Sequence, residues 1–227
     1  MHSFARRHHS ESGEATVKAT RGLVINSGWR YDLMEWFMDT FLFRGKLREL
    51  RQRTANLARF QPGETVLDVG CGVGTLAIEA QQRVGATGHV FGIDPGAQQI
   101  ARACYKAARR KLPIDFQIGV IERLPFPEQT FDAVLSTIMM HHLGDGLKRQ
   151  GLAEIARVLK PGGRLVIADF NRSEEPQPQP VPFGSVRDLP GFVHEAGFSQ
   201  IETEEMAFPK FHAGVEFVRA YKGEYGM

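Results

Sequence analysis

The sequence predicts a doubly wound α/β domain, in which helices cover both faces of a largely parallel sheet. Strand-like apolar runs alternate with amphipathic runs along the middle of the chain, which is the pattern of parallel βαβ units. The first run, Val66–Val69, passes directly into the glycine-rich stretch Gly70–Gly74. A second run ends at Asp94, roughly twenty residues further on, where a ribose-binding acid is expected in such folds. This combination indicates a site for a nucleoside cofactor.

Two N-terminal regions precede this core. Residues 1–20 are polar and lack periodicity, so we expect a disordered arm. Residues 21–60 carry apolar side chains at helical spacing on both sides of Gly45, which predicts a cap of two helices. A turn follows, and residues 61–227 are expected to form the cofactor-binding domain.

The elements of the core are predicted in alternating order. Strands are expected at 65–69, 88–93, 114–118, 131–137 and 163–170, and helices at about 75–84, 97–110 and 146–159. The proline-rich segment 171–185 cannot form regular structure, and it follows the carboxyl end of the fifth strand, so it should lie over the ligand site. A helix at about 186–196 and two short strands, 199–207 and 214–221, complete the chain.

Composition narrows the classes of protein. A chain of 227 residues fits one decorated α/β domain, and Cys71 and Cys104 give neither a disulfide framework nor metal-ligand spacing. Without an apolar run of ~18 residues or a secretory signal, we expect a cytoplasmic protein with no transmembrane segment. The net charge of +2 predicts no nucleic-acid partner. The basic run Lys106–Lys111 either complements a helix dipole or contacts an anionic membrane or substrate, which leaves peripheral membrane contact open.

The glycine turn departs from the dinucleotide fingerprint GxGxxG, because Thr75 replaces the third glycine and Gly74 comes one position early. Its pattern, Asp68-x-Gly70-x-Gly72-x-Gly74, resembles motif I of the class I S-adenosylmethionine (SAM)-dependent methyltransferases. Later landmarks of that family follow in order: Leu124–Phe126, Phe131–Val134, His141–Leu143 and Leu159–Leu165. The resemblance covers about residues 61–170. It implies a Rossmann-like seven-stranded sheet with an antiparallel last strand, SAM as cofactor and S-adenosylhomocysteine as product.

The resemblance also implies which residues hold SAM: Asp68 beneath the methionine moiety, Asp94 at the ribose, and the glycine turn close to the cofactor. The candidates are Asp68, Gly70, Cys71, Gly72, Gly74, Asp94, Pro95, Gln99, Val120, Ile121, Glu122 and Ser136. The adenine end departs from the family, since Val120 stands where an acid is usual and Gln99 where methionine is common. Asp68 could instead be a structural acid, and Asp94 a helix N-cap.

On the acceptor side, the segment Ser136–His142 leaves the fourth strand beside the expected methyl group, so His142 or His141 could act as a base. Alternatively, this histidine pair packs or orients a loop. Tyr31–Met34 resembles a stretch that opens the ubiquinone and menaquinone C-methyltransferases, and Tyr31 becomes a third catalytic candidate. In that reading five aromatic side chains line or roof the acceptor pocket, although they could be ordinary core: Trp29, Tyr31, Trp36, Phe37 and Phe41.

The sequence thus predicts a SAM-dependent methyltransferase that acts on a small apolar, aromatic or lipid-like acceptor by in-line displacement without a metal. It is expected to be a monomer or a homodimer. Methylation of a phospholipid headgroup nitrogen remains open beside O- or C-methylation. Two readings from other classes also remain, a non-catalytic SAM-binding protein and a nicotinamide-dependent oxidoreductase.

Overall fold

A computed structural model describes most of the chain. The described residues are 24–30, 34, 37, 45–171, 186–208 and 213–223, without the side chains of Phe208 and Ala213. The predicted arm at 1–20, most of the first cap helix and residues 172–185 of the predicted proline-rich segment lie outside the described residues, whereas Asn171 is the last residue of the fifth strand.

Helices and strands alternate through the core. In chain order they are α1 Lys46–Leu57, β1 Thr65–Val69, α2 Thr75–Val84, β2 His89–Asp94, α3 Ala97–Arg109, β3 Ile114–Ile118, β4 Phe131–Thr137, a 3₁₀ turn Met140–His142, α4 Asp145–Val158, β5 Leu159–Asn171, α5 Leu189–Glu195, β6 Phe198–Phe208 and β7 Ala213–Lys222. In addition, Trp29, Arg30, Met34 and Phe37 are helical.

The seven strands form one sheet in the order β3-β2-β1-β4-β5-β7-β6. Strands β1 to β5 are parallel, whereas β7 runs antiparallel to both β5 and β6. The order reverses between β1 and β4, and the carboxyl ends of these strands open a crevice there, as in other doubly wound sheets. The predicted fold class is therefore confirmed, including the antiparallel last strand.

Alternating side chains on the strands bury both faces of the sheet. Val66 and Val166 face one layer, which contains Ala55 of α1 and Leu76 of α2. Their neighbours Leu67 and Ile167 face the opposite layer, which is formed by α4 and α5. This alternation with period two is what a sheet covered on both sides requires.

Two elements begin more than one residue away from the predicted position. Strand β5 begins at Leu159 rather than near 163, because Leu159 pairs with Phe131 before a register shift restores the ladder at Arg164. Helix α5 begins at Leu189 rather than near 186. Asp188 provides its N-cap, since the Asp188 carboxylate accepts a hydrogen bond from the Gly191 N–H at 2.8 Å.

Candidate cofactor and acceptor site

The glycine turn between β1 and α2 is fixed to the neighbouring strand by its backbone. The N–H groups of Gly70 and Cys71 both donate to the Ile93 carbonyl at 2.9 Å, and the Gly74 N–H closes the turn on the Cys71 carbonyl. Gly70, Gly72 and Gly74 all have positive φ, at 72°, 52° and 75°. A side chain at any of these positions would be strained, so the turn requires glycine conformationally.

The three glycines differ in what surrounds them. A Cβ at Gly70 would lie 2.5 Å from Met139 Cγ, and one at Gly74 would lie 2.7 Å from Phe116 Cζ. At Gly72, no atom of the described residues comes within 4 Å of that point. Gly70 and Gly74 therefore allow protein packing, whereas Gly72 leaves space at the cavity for the close approach of a ligand.

Asp94 ends β2 and connects this strand to the turn. Its carboxylate accepts hydrogen bonds from the Gly72 N–H at 3.0 Å and from the Gly96 N–H at 2.8 Å. Burial raises the pKa of Asp94 to about 6, although both N–H groups favour the charged form. Helix α3 has Gly96 as its N-cap residue and no side-chain cap. Asp94 instead lines the cavity beside the turn.

Asp68 lies beneath the same turn and is 1% exposed. Neither of its carboxylate oxygens has a hydrogen-bond partner within the described residues. Burial raises its pKa to about 7, and the charge of Asp94 adds to this rise, while the Ala77 backbone N–H and the Arg51 charge oppose it. Burying an acid without a hydrogen bond of normal geometry is costly, and a cation bound nearby would offset part of this cost.

A cavity of about 290 Å³ opens at the carboxyl ends of the strands. This volume is close to the lower end of the ~300–1,000 Å³ typical of small-molecule sites. Its wall contains the glycine turn, Asp94 and Pro95, together with the loop Gly119–Glu122 at the predicted adenine end. Val120 and Ile121 are buried there, so apolar contact replaces the acid that is usual in the resembled family. The Cys71 thiol also lines the wall, and burial raises its pKa well above the usual value.

The opposite wall contains the histidine pair. His141 Nδ1 lies 2.6 Å from an oxygen of Asp169, and both side chains are 1% exposed. The Asp169 carboxylate also accepts hydrogen bonds from the N–H groups of Met139, His141 and Phe170. The His142 ring lies against His141, with 3.8 Å between ring centroids. Burial and the neighbouring His141 lower the pKa of His142, which keeps this ring neutral at neutral pH.

A strained residue sets the position of this pair. Ile138 follows β4 with φ at 51°, a conformation that β-branched residues rarely adopt. Its N–H donates to the Ala168 carbonyl at 2.8 Å, which extends the pairing of β4 with β5 by one residue. The chain then turns into the 3₁₀ turn, and both histidines face the cavity. Backbone strain of this kind is typical of functional sites.

A short N-terminal segment, Val24–Arg30, closes the cavity at the start of α3. The Gly28 N–H donates to the Gln99 side-chain oxygen at 2.8 Å, and the Asn26 side chain accepts from the Gln98 N–H at 2.7 Å. Ile25 and Met34 consequently line the cavity. The expectation that Trp29 and Phe37 line it is wrong. These side chains are 61% and 51% exposed and are absent from the wall, whereas Ile25 of the segment faces the cavity.

Most of the candidates from the sequence meet at this cavity. Its wall includes Gly70, Cys71, Gly72, Asp94, Pro95, Gln99, Val120, Ile121, Glu122, His141 and His142. Asp68, Gly74 and Ser136 do not reach it. Asp68 lies below the turn, Gly74 faces Phe116, and Ser136 is fully buried in β4. Tyr31, Trp36 and Phe41 lie outside the described residues.

Two residues at the site were missed from the sequence. Arg51 of α1 lines the cavity, and the helical stripe of arginines opposite the apolar face of α1 was the available signal. Asp169 binds His141, and it lies within the apolar run Leu165–Phe170, where a buried acid has to be partnered. Among the described residues, no cluster of three or more His, Cys, Asp or Glu could hold a metal ion.

Comparison with known proteins identifies the domain. Residues 66–163 match the family model described as a methyltransferase domain. Over these residues the sequence is that of a methyltransferase domain. A demethylmenaquinone methyltransferase of Deinococcus radiodurans is 37% identical over 169 residues, or 74% of this chain and 65% of that protein. An arsenite methyltransferase of Halobacterium salinarum is 32% identical over 158 residues, or 64% of this chain and 40% of that protein.

The chain therefore spans less than two thirds of the length of either relative. The [4+2]-cyclase SpnF has the same fold, with a TM-score of 0.71 and 20% sequence identity over 97% of this chain and 95% of that one. The predicted family resemblance is confirmed for the methyltransferase domain. Similar proteins carry different names for the molecule on which they act, so the acceptor has to be argued from the cavity.

Proposed function

We propose that this protein is a SAM-dependent methyltransferase that transfers a methyl group to a small apolar or aromatic acceptor. The observation that carries the proposal is the open position at Gly72, whose N–H is held by Asp94 at the mouth of the turn. This arrangement brings the backbone and a carboxylate to one point, and a ribose with adjacent hydroxyls fits there as a donor to the carboxylate.

The charges around the cavity fit the rest of the cofactor. SAM carries a sulfonium, an ammonium and a carboxylate. Asp94 lines the cavity and Asp68 lies buried beneath the glycine turn, and in their ionised forms both carboxylates supply negative potential for the cationic groups. Arg51 reaches the same cavity from α1 and is suited to the cofactor carboxylate. The apolar loop Val120–Ile121 offers a slot for adenine.

Bound SAM would supply an electrophilic methyl group on a leaving group that departs as a neutral thioether. The chain itself has to hold the acceptor in line and exclude water. Segment Val24–Arg30 covers the cavity, and Leu47 and Leu50 of α1 line it. These apolar contacts position an acceptor without hydrating it.

His142 is the proposed general base for an acceptor that loses a proton, such as a phenol-type hydroxyl. Its lowered pKa keeps the ring able to accept a proton at neutral pH. His141, bound to Asp169, packs against this ring and fixes its position. Asp169 and His141 act here as positioning residues.

The apolar wall favours an acceptor of the aromatic or quinone-precursor type. Met34, Ile138 and Phe170 surround the acceptor end, and the relatives include a demethylmenaquinone methyltransferase. In the resembled quinone enzymes a longer segment stands at the position of the proline-rich segment 172–185. The size of the ring substituents accepted is therefore expected to differ from theirs.

Calorimetry with SAM, S-adenosylhomocysteine and NAD tests the cofactor, and turnover over a panel of hydroquinones, phenols and phosphoethanolamine tests the acceptor. We expect heat with the first two ligands, none with NAD, and methylation of the aromatic acceptors. Binding of NAD alone would contradict the proposal. Binding of SAM without any turnover would indicate a non-catalytic protein.

Asp94→Ala tests the ribose contact. The substitution is expected to weaken SAM binding by about 1–3 kcal/mol, because a charge-assisted acceptor is lost from the cavity. Asp132→Ala is the control, since Asp132 accepts the Thr65 N–H at the far end of β1, away from the cavity. An unchanged SAM dissociation constant in Asp94→Ala would remove Asp94 from the cofactor site.

A further inference from the structure

We infer that one face of α3 docks the protein onto an anionic lipid bilayer. This face, the cationic face of α3, consists of Arg102, Tyr105, Lys106, Arg109 and Arg110. These residues line a surface groove of about 560 Å³ that is distinct from the candidate cofactor cavity. Docking would help catalysis because the proposed acceptor is apolar, so that benefit rests on the proposed function. The docking itself does not depend on the proposed function.

The charge of the chain is concentrated on this helix. Between Asp94 and Asp115 the sequence holds five cations, including Lys111, and no acid. The whole chain has 28 Lys and Arg against 26 Asp and Glu, so without these five the remaining 23 cations are outnumbered by acids. Because the rest of the protein is slightly acidic, a negative surface attracts this basic helix and repels the other faces, which orients the protein.

Aromatic rings accompany the cations. Tyr105 is 50% exposed, and Arg102 and Arg109 lie 5.1 and 5.9 Å from the centre of its ring. An exposed tyrosine between arginines combines an apolar body with charges that attract phosphate groups, as interfacial segments of membrane-bound proteins do. Arg109 and Arg110 make no ion pair within the described part of the chain.

The cationic face continues into the segment that covers the cavity. Gln98 lies one turn before Arg102 on α3, and its N–H is bonded to Asn26. Trp29 follows in the same segment, 61% exposed and with Arg30 5.8 Å from its ring. Lys106 donates to the Thr75 hydroxyl at 2.9 Å, and Thr75 lines the cavity. A bilayer under α3 would therefore lie beside the cavity, which suits an acceptor that partitions into lipid.

A helix dipole explains only part of this arrangement. Lys106 and Arg109 occupy the last turn of α3, where cations are favoured. Arg102 lies in the second turn, close to the positive end of the helix, and an exposed tyrosine has no role in the dipole. A bilayer is favoured over nucleic acid because exposed apolar side chains adjoin this face, namely Trp29 in the covering segment and Met34 and Phe37 shortly after it in the sequence.

Vesicle sedimentation of the full chain tests the inference, with phosphatidylcholine vesicles that contain or lack about 30% phosphatidylglycerol. The wild type should bind only the anionic vesicles, and binding should weaken with salt. Arg109→Glu with Arg110→Glu should reduce partitioning roughly tenfold or more. The control pair Arg59→Glu with Arg187→Glu changes the net charge equally on other faces and should change partitioning less than about twofold.

Tyr105→Ser should reduce partitioning severalfold at constant charge, while Tyr105→Phe should retain it. Equal losses in both double variants would reduce the effect to net charge and overturn the inference. So would tight binding of a single-stranded RNA by a wild type that ignores anionic vesicles. SAM affinity measured in the same variants should be unchanged, since Arg109 and Arg110 lie outside the cavity. If the wild type did not bind SAM, that result would contradict the proposed function and leave the docking inference unaffected.

Discussion

The cofactor half and the acceptor half of the cavity are built in different ways. The cofactor half consists of two short stretches, Gly70–Gly74 and Asp94–Gly96, which are held mainly by backbone hydrogen bonds. The acceptor half is assembled from side chains that are distant in sequence, such as His141 with Asp169, 28 residues apart. Gly28 and Gln99 are 71 residues apart. A backbone-built half tolerates sequence change outside its glycines, whereas a side-chain-built half can be altered one residue at a time.

The relatives give a reason to test this contrast. A demethylmenaquinone methyltransferase and an arsenite methyltransferase are similar to this chain over 169 and 158 residues, although their names give unrelated acceptors. If the two halves of the cavity are independent, a substitution in one half should leave the property of the other half unchanged. Changes in the acceptor half should affect turnover, and changes in the cofactor half should affect binding or stability.

The largest effect is expected at His142. His142→Ala should lower kcat roughly 10²–10⁴-fold, because a positioned proton acceptor is lost. SAM affinity should be unchanged. His89→Ala, at an exposed position at the start of β2, is the control and should leave kcat unaltered. Steady-state kinetics and calorimetry separate the two quantities, and an equal loss of SAM affinity would show that the halves are not independent.

The same half has a pH signature. Because burial and His141 lower the pKa of His142, kcat/KM should fall only as pH drops through a value below 6.5. The charge of Asp169 raises that pKa, so Asp169→Asn should move the acidic limb to still lower pH. A purely structural role for Asp169 would lower kcat without moving the limb.

Two glycines of the turn should respond differently to the same substitution. Gly74→Ala is expected to destabilise the fold by about 2–4 kcal/mol, through left-handed strain and contact with Phe116 and Ala103. Gly72→Ala has the strain of about 1 kcal/mol but no clash with the protein. Its Cβ would instead fill cofactor space and should weaken SAM binding at least tenfold, or about 1.4 kcal/mol. Chemical denaturation and calorimetry measure both, and matching stabilities would contradict the assignment.

Asp68 is expected to make the stability of the folded protein depend on pH. Its pKa of about 7 in the folded protein lies above the usual 3.8, so the folded state retains a proton that the unfolded state has lost. The free energy of unfolding therefore decreases as pH rises from about 4 to 7. Asp68→Asn should remove this contribution and stabilise the protein without SAM by about 1–3 kcal/mol at pH 8. At pH 4 the two proteins should differ little, and a constant difference across pH would contradict the mechanism.

The smallest effect is expected at Gln99. Gln99→Ala removes the acceptor of the Gly28 N–H, and one lost hydrogen bond costs about 1 kcal/mol. Hydrogen exchange at Gly28 should speed up severalfold while global stability changes little. Gln98→Ala is the matched control, because its bond to Asn26 uses the backbone N–H and survives the substitution. Faster exchange in both variants would mean that Gln99 does not hold the segment.

The amino-acid sequence was sufficient for the fold class and for the alternation of strands and helices in the core, and it predicted which residues meet at the proposed cofactor half. The features that predicted them are local: alternating apolar runs, a glycine turn and an acid at the end of a strand. Local patterns of this kind can be recognised in the sequence without a structure. Strand β5 began earlier than predicted because its first pair, with Phe131, depends on a register shift across two strands. That pairing is part of the tertiary structure and leaves no local pattern in the sequence.

The acceptor half could be predicted only in part, since the histidines were visible but their partner was not. In the sequence, Asp169 is an isolated acid in the apolar run Leu165–Phe170, and its partner is evident only once β4 and β5 pair and bring it next to His141. From the sequence, Trp29 was predicted to line the pocket. In the structure, two hydrogen bonds to α3 fix the segment and that side chain is exposed to solvent. The sequence by itself determined the glycine turn and the strand-end acid of the cavity, because backbone conformation follows from neighbouring residues. Tertiary structure alone decided which side chains form the opposite wall, because contacts between distant side chains exist only after the chain has folded.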